Sequence, residues 1–188
     1  MAGNVKSRGI VIGIAIAALI ISAAPAALAK RPKHVKGSSA GSFSTTNFSY
    51  DGSVPGSVSI LSGKDNLNGA FNSQVYSEYI DASTTCTAPD STSGEQFYLV
   101  NAWSITTYKN GAQLIAEATS GGQCVSTTTG FFAGTATFAI AGGTRKFNGA
   151  SGTVTATFGG VTLFAGLTGP GNGLVGTIQS SLDGMVTP

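Results

Sequence analysis

Two segments eighteen residues apart constrain the fold more than anything else in the chain. In Thr153-Val154-Thr155-Ala156-Thr157-Phe158, threonine takes every second position and an apolar residue each position between. In Thr135-Ala136-Thr137-Phe138-Ala139-Ile140, Phe138 and Ile140 share a face and the threonines lie opposite. Side chains alternate across a strand, so each segment has a dry face and a wetter one, and β-branched threonine suits the wetter one. Beyond Gly37 no apolar residue recurs at helical spacing for more than one turn, because Gly, Ser and Thr interrupt every window. The 27 glycines among 188 residues are about twice the usual share. They have no three-residue period, which excludes collagen, and a 41% hydrophobic content excludes a disordered chain.

Further runs read as strands over roughly 42–51, 55–62, 72–82, 96–108, 112–119, 123–129, 161–168 and 173–182. Turn signals separate them: Asp51-Gly52, Lys109-Asn110-Gly111, Ser120-Gly121-Gly122 and Gly169-Pro170-Gly171. Asn110-Gly111 is the strongest hairpin signal. Eight to ten short strands with brief turns predict one all-β domain of antiparallel neighbours, a closed barrel or a β-sandwich. Apolar side chains are expected inside it and hydroxyls outside.

Residues 1–29 read as a signal peptide: Lys6 and Arg8, an uncharged stretch from Gly9 to Ala24, then Ala27-Leu28-Ala29 before the cut. The apolar run is short for a spanning helix. Lys30, Arg31, Lys33 and Lys36 follow at once and resist export, so an uncleaved anchor is the alternative. Residues 30–40 read as a basic flexible leader and 41–188 as the β domain. A secreted, periplasmic or cell-envelope location follows, with no membrane association after cleavage. Cys86 and Cys124 are the two cysteines, and an even pair in an exported chain implies a disulfide.

Charge excludes further classes. From Gly37 onward four bases stand against eight acids, a poor match to nucleic acid. The sole histidine, His34, lies in the leader, far in sequence from any nucleophile a Ser-His-Asp or Cys-His site requires. Phosphate-binding glycine loops are absent from the sequence, and no cofactor is implied. Asp51, Asp65, Asp81 and Asp90 sit beside turn residues and read as turn caps, not metal ligands. Asn47-Phe48-Ser49 matches the glycosylation triplet, a pattern that chance also yields.

The stretch Ala141–Thr155, AGGTRKFNGASGTVT, resembles the strand–loop–strand of the allene oxide cyclase and dirigent type of β-barrel. Cys86-Thr87-Ala88-Pro89-Asp90, Phe97–Val100 and Gly122–Cys124 resemble exported bacterial members of that superfamily. The likeness covers residues 84–159; Arg145 departs from it, standing where a third glycine is usual. The resemblance implies an eight-stranded antiparallel closed barrel with an apolar cavity. Relatives cyclise a fatty-acid epoxide or guide phenoxy-radical coupling, and they form trimers, which admits a homo-oligomer here. No catalytic residue carries over.

Candidate ligand-binding residues come from parity. On the long strand Phe97, Leu99, Asn101, Trp103 and Ile105 share a face. With that face inward, Trp103, Phe138 and Phe158 either pack as a core or wall a pocket, with Asn101 as polar anchor. Glu78 alternates with Tyr76 and Ile80; facing inward it is a buried carboxylate and a site candidate, facing outward it is surface. Three functions are carried forward: an exported barrel binding a small apolar ligand or a surface partner, an isomerase or cyclase confining a hydrophobic substrate, and a structural or adhesive envelope protein. A cavity of ~300 Å³ or more with converging polar groups favours the first two, and a filled barrel favours the third.

Overall fold

The computed structural model describes residues 30–46, 48, 49, 54, 56–164 and 174–188. The signal peptide, Asn47 of the glycosylation triplet and the turns at Asp51-Gly52 and Gly169-Pro170-Gly171 lie outside the described residues. Eight strands follow in order: β1 (Lys33–Thr46), β2 (Gly56–Asp65), β3 (Gly69–Thr87), β4 (Ser93–Tyr108), β5 (Gln113–Ser126), β6 (Phe131–Gly143), β7 (Ser151–Phe164) and β8 (Val175–Thr187). Each pairs antiparallel with the next, and β8 pairs with β1, so one sheet closes on itself as a barrel. Closure satisfies the backbone amides that an open sheet leaves at its two edges.

Two expectations are corrected by the strand boundaries. β1 begins at Lys33, inside the stretch expected to be a flexible leader, and Lys33–Lys36 pair with Val186–Asp183 of β8. The basic side chains of Lys33, His34 and Lys36 stay exposed while Val35, between them, is 3% exposed. A charged strand is tolerated here because only alternate side chains turn inward. The ten expected runs become eight strands because Ser120-Gly121-Gly122 continues β5 instead of turning, and residues 152–158 and 161–164 form one strand. At that point β5 carries a register shift between Ala118 and Ser120, so the glycines mark a bulge in a strand.

The hairpin signal holds. Gly111 adopts φ +74, a left-handed value open to glycine, and the Asn110 side chain accepts from the Ala112 amide at 3.1 Å. Three turns meet at this end of the barrel: 66–68, 109–112 and 144–150. The last contains a 3₁₀ turn, Arg145–Phe147, that drops Phe147 into the barrel end at 0% exposure. The Phe147 ring lies 5.3 Å from that of Tyr108, which lies 6.0 Å from Phe71. Val35, Leu114, Ile140, Val154 and Val186 complete this plug. Arg145 takes φ +55 and donates to the Asn110 carbonyl, tying two of the turns together.

The opposite end is held by a covalent bridge. Cys86 of β3 and Cys124 of β5 form a disulfide across β4, with Cα atoms 6.0 Å apart. Strands two apart in a flat sheet lie roughly 9.5 Å apart, so the sheet creases sharply at this corner. Gly94 of β4, the register partner of Cys86, sits in the crease. A Cβ there would come within 2.6 Å of the Val125 carbonyl oxygen and 3.0 Å of the Cys124 sulfur.

Candidate functional site: the barrel cavity

Above the plug the barrel is not filled. A cavity of about 210 Å³ is lined by side chains from all eight strands. It has two unlike walls. On β5–β7 the lining is apolar apart from Gln123 and Thr162: Ala116, Ala136, Phe138, Ile140, Ala156 and Phe158 are among the side chains there. Alternation puts these inward and Thr135, Thr137, Thr153, Thr155 and Thr157 outward, as the pattern of β6 and β7 predicts.

On β8 and β1–β4 the lining carries hydroxyls, against the expectation that hydroxyls face out. Ser39 and Ser180 pair at 2.7 Å, Ser57 and Ser77 at 2.9 Å, and Ser73 and Thr106 at 3.1 Å, each pair on neighbouring strands. Tyr79 also lines the cavity, on the same face of β3 as Ser77, so the Ser57–Ser77 pair and the Tyr79 phenol form a row of three hydroxyls. Burial pushes the Tyr79 phenol up to about 12, outweighing the lowering influence of the nearby Ser77 hydroxyl. Tyr79 is therefore a neutral phenol at any ordinary pH. At the plugged end Tyr108 donates to Asp65 Oδ2 at 2.6 Å, while Asp65 Oδ1 accepts from the amides of Leu67 at 2.9 Å and Asn68 at 2.8 Å. Burial, reinforced by that carboxylate, raises the Tyr108 phenol far above its usual range.

The parity argument placed some candidates well and others not. Phe138 and Phe158 line the cavity. Trp103 and Asn101 do not line it, and Trp103 is 36% exposed on the outer face. The reason is a bulge: Glu78 pairs with Asn101 and Tyr79 with Leu99, so Val100 is unmatched and parity flips along β4. Leu99 faces in, but beyond the bulge the inward residues are Ala102, Ser104, Thr106 and Tyr108. Glu78 alternates with inward Ser77 and Tyr79 and so faces outward, yet it is only 2% exposed. Its carboxylate accepts from the Tyr76 hydroxyl at 2.6 Å, and the Tyr76 ring packs edge-on against Phe48. Glu78 is thus a buried group of the outer wall, not of the cavity.

The hydroxyl row is the part of the site that sequence reasoning missed. Its signal was present in Ser73-Asn72 and Ser77-Glu78: serine shares parity with Val75 and Tyr79, and the larger polar residues take the other. Asp65, Asp81 and Asp90 behave as turn caps, and Asp51 lies outside the described residues. Asp81 accepts from the Ser83 amide at 2.7 Å, and Asp90 from the Thr92 amide at 3.2 Å. Among the described residues no helix is long and apolar enough to cross a membrane. Comparison with family models, with characterised proteins and with solved structures finds no match to this chain.

Proposed function

We propose that this protein is an exported barrel that holds a small apolar molecule in its interior. The observation that carries the reading is the cavity itself, apolar on three strands and hydroxylated on the others. Its volume, about 210 Å³, falls short of the ~300 Å³ expected of a ligand-binding barrel, yet the barrel is not filled either, so the occupant is smaller than a drug-sized ligand. The disulfide supports export, since such bonds persist in oxidising compartments. A dry apolar cavity of ~150 Å³ is enough to take up benzene or xenon, which supplies a direct test. Benzene titrated into the labelled protein shifts the methyl resonances of Ala136, Ile140 and Ala156, while Ala136→Leu, which fills the space, abolishes the shifts. Unperturbed methyls in the unaltered protein would refute the reading.

A second reading, a partner held on the outer face, is favoured by one observation. Ile60, Tyr98, Val100, Trp103 and Ile105 all project from β2 and β4 with at least a third of their surface exposed. Ile105→Ser in that stripe separates the two readings, because it removes exposed apolar surface and leaves benzene uptake intact.

A further inference from the structure

We propose that the occupant of the barrel is an uncharged molecule, a short apolar body bearing one hydroxyl or carbonyl oxygen, and that carboxylates and amines are rejected. This rests on the cavity reading above and narrows its ligand class.

Among the described residues the lining contains no lysine, arginine or histidine. A carboxylate drawn into this space leaves water without gaining a cation, and burying an unpaired ion is costly. Among the described residues the one acid in the lining is Asp65, and it is already committed: it accepts from Tyr108 and from the Leu67 and Asn68 amides at the plugged end. An ammonium ion therefore finds no free counter-ion either, and reaching Asp65 means displacing the Tyr108 phenol. What the interior offers is neutral hydrogen bonding. Ser57 and Ser77 are hydrogen-bonded across β2 and β3, Tyr79 stands two residues further along the same face of β3, and hydroxyls both donate and accept. A hydrogen-bonded pair of hydroxyls is polarised in a low-dielectric interior and still has lone pairs to offer. Across the cavity Phe138, Phe158 and the small side chains Ala136 and Ala156 make a smooth apolar wall. An alcohol or ketone satisfies both walls at once, its oxygen on the hydroxyl row and its body against the rings. A pure hydrocarbon leaves the hydroxyl wall unused, and an ion is penalised.

The test compares three molecules of equal chain length, 1-octanol, octanoate and octylammonium, by calorimetric titration of the purified chain near neutral pH. The expected result is 1-octanol binding at least ~10-fold more tightly than either ion, the least that an unpaired buried charge costs. Tyr79→Phe then weakens 1-octanol by roughly 3–10-fold, the worth of one hydrogen bond. Octanoate or octylammonium binding as tightly as 1-octanol overturns the inference while benzene uptake still stands. An unchanged affinity in Tyr79→Phe also overturns it, because the hydroxyl row then anchors nothing. Failure of 1-octanol and benzene alike sinks the cavity reading itself, and the ligand class with it.

Discussion

Gly94 shows how one residue decides whether a corner can form. The disulfide draws β3 and β5 together over β4, and Gly94 occupies the space where a side chain has nowhere to go. Both neighbours of its missing Cβ, a carbonyl oxygen and a bridged sulfur, are fixed groups. Gly94→Ala is expected to destabilise the protein by roughly 1–3 kcal/mol, the usual cost of overpacking, as read from a denaturant midpoint. A midpoint equal to that of the unaltered chain would show the crease to be loose. The buried phenols make a second residue-scale prediction. Tyr79 loses its proton near 10 in the unfolded chain but at about 12 when folded. Below pH ~10 both states hold the proton and the phenol's contribution is fully present; between ~10 and ~12 only the folded state holds it, so stability falls as pH rises. Tyr108 acts in the same direction through burial and Asp65. Denaturant midpoints measured across this window should decline, and Tyr79→Phe should flatten part of the decline. A Tyr79→Phe profile parallel to that of the unaltered chain would argue against a buried phenol.

At the scale of the element, β6 and β7 were legible in the sequence and β4 was not. Strict alternation of threonine with Phe138, Ile140, Val154 and Phe158 has only one sensible orientation, because reversing it would put four large apolar side chains in water. On β4 both faces are apolar enough to be the inner one, and the outward residues Val100, Trp103 and Ile105 are at least as hydrophobic as the inward Ala102, Ser104 and Thr106. The bulge at Val100 flips parity without any glycine or proline to announce it. The start of β1 is illegible for a related reason: the charge of residues 30–36 points to disorder, whereas Val35 among them turns inward, followed by Ser39 and Phe43. The plug is the element whose loss should be felt most. Phe147 is fully buried against Tyr108, and Phe147→Ala is expected to cost about 3–5 kcal/mol by leaving a ring-sized void. A loss under ~1 kcal/mol in thermal or denaturant unfolding would mean the barrel end collapses to fill the space.

For the whole molecule, closure and cross-linking work together. Hydrogen bonds between β1 and β8 join the two ends of the described chain, so unfolding has no free edge from which to start. The disulfide, closing a sequence separation of 38 residues, adds about 3–4 kcal/mol in the chain-entropy account. Replacing Cys86 and Cys124 with serine should lower stability by that order and leave benzene uptake intact, because neither cysteine lines the cavity. Loss of uptake in a still-folded double variant would mean that the creased corner shapes the interior. A ring of eight strands holds its walls apart, one of them apolar and the other carrying hydroxyls. The most direct measurement is a crystal structure of the protein soaked in 1-octanol. The account expects density for the alcohol inside the barrel, its oxygen within hydrogen-bond distance of Ser77 or Tyr79 and its chain against Phe138 and Phe158. Rings of Phe138 and Phe158 turned together to fill the interior, with no alcohol between them and the serines, would contradict it.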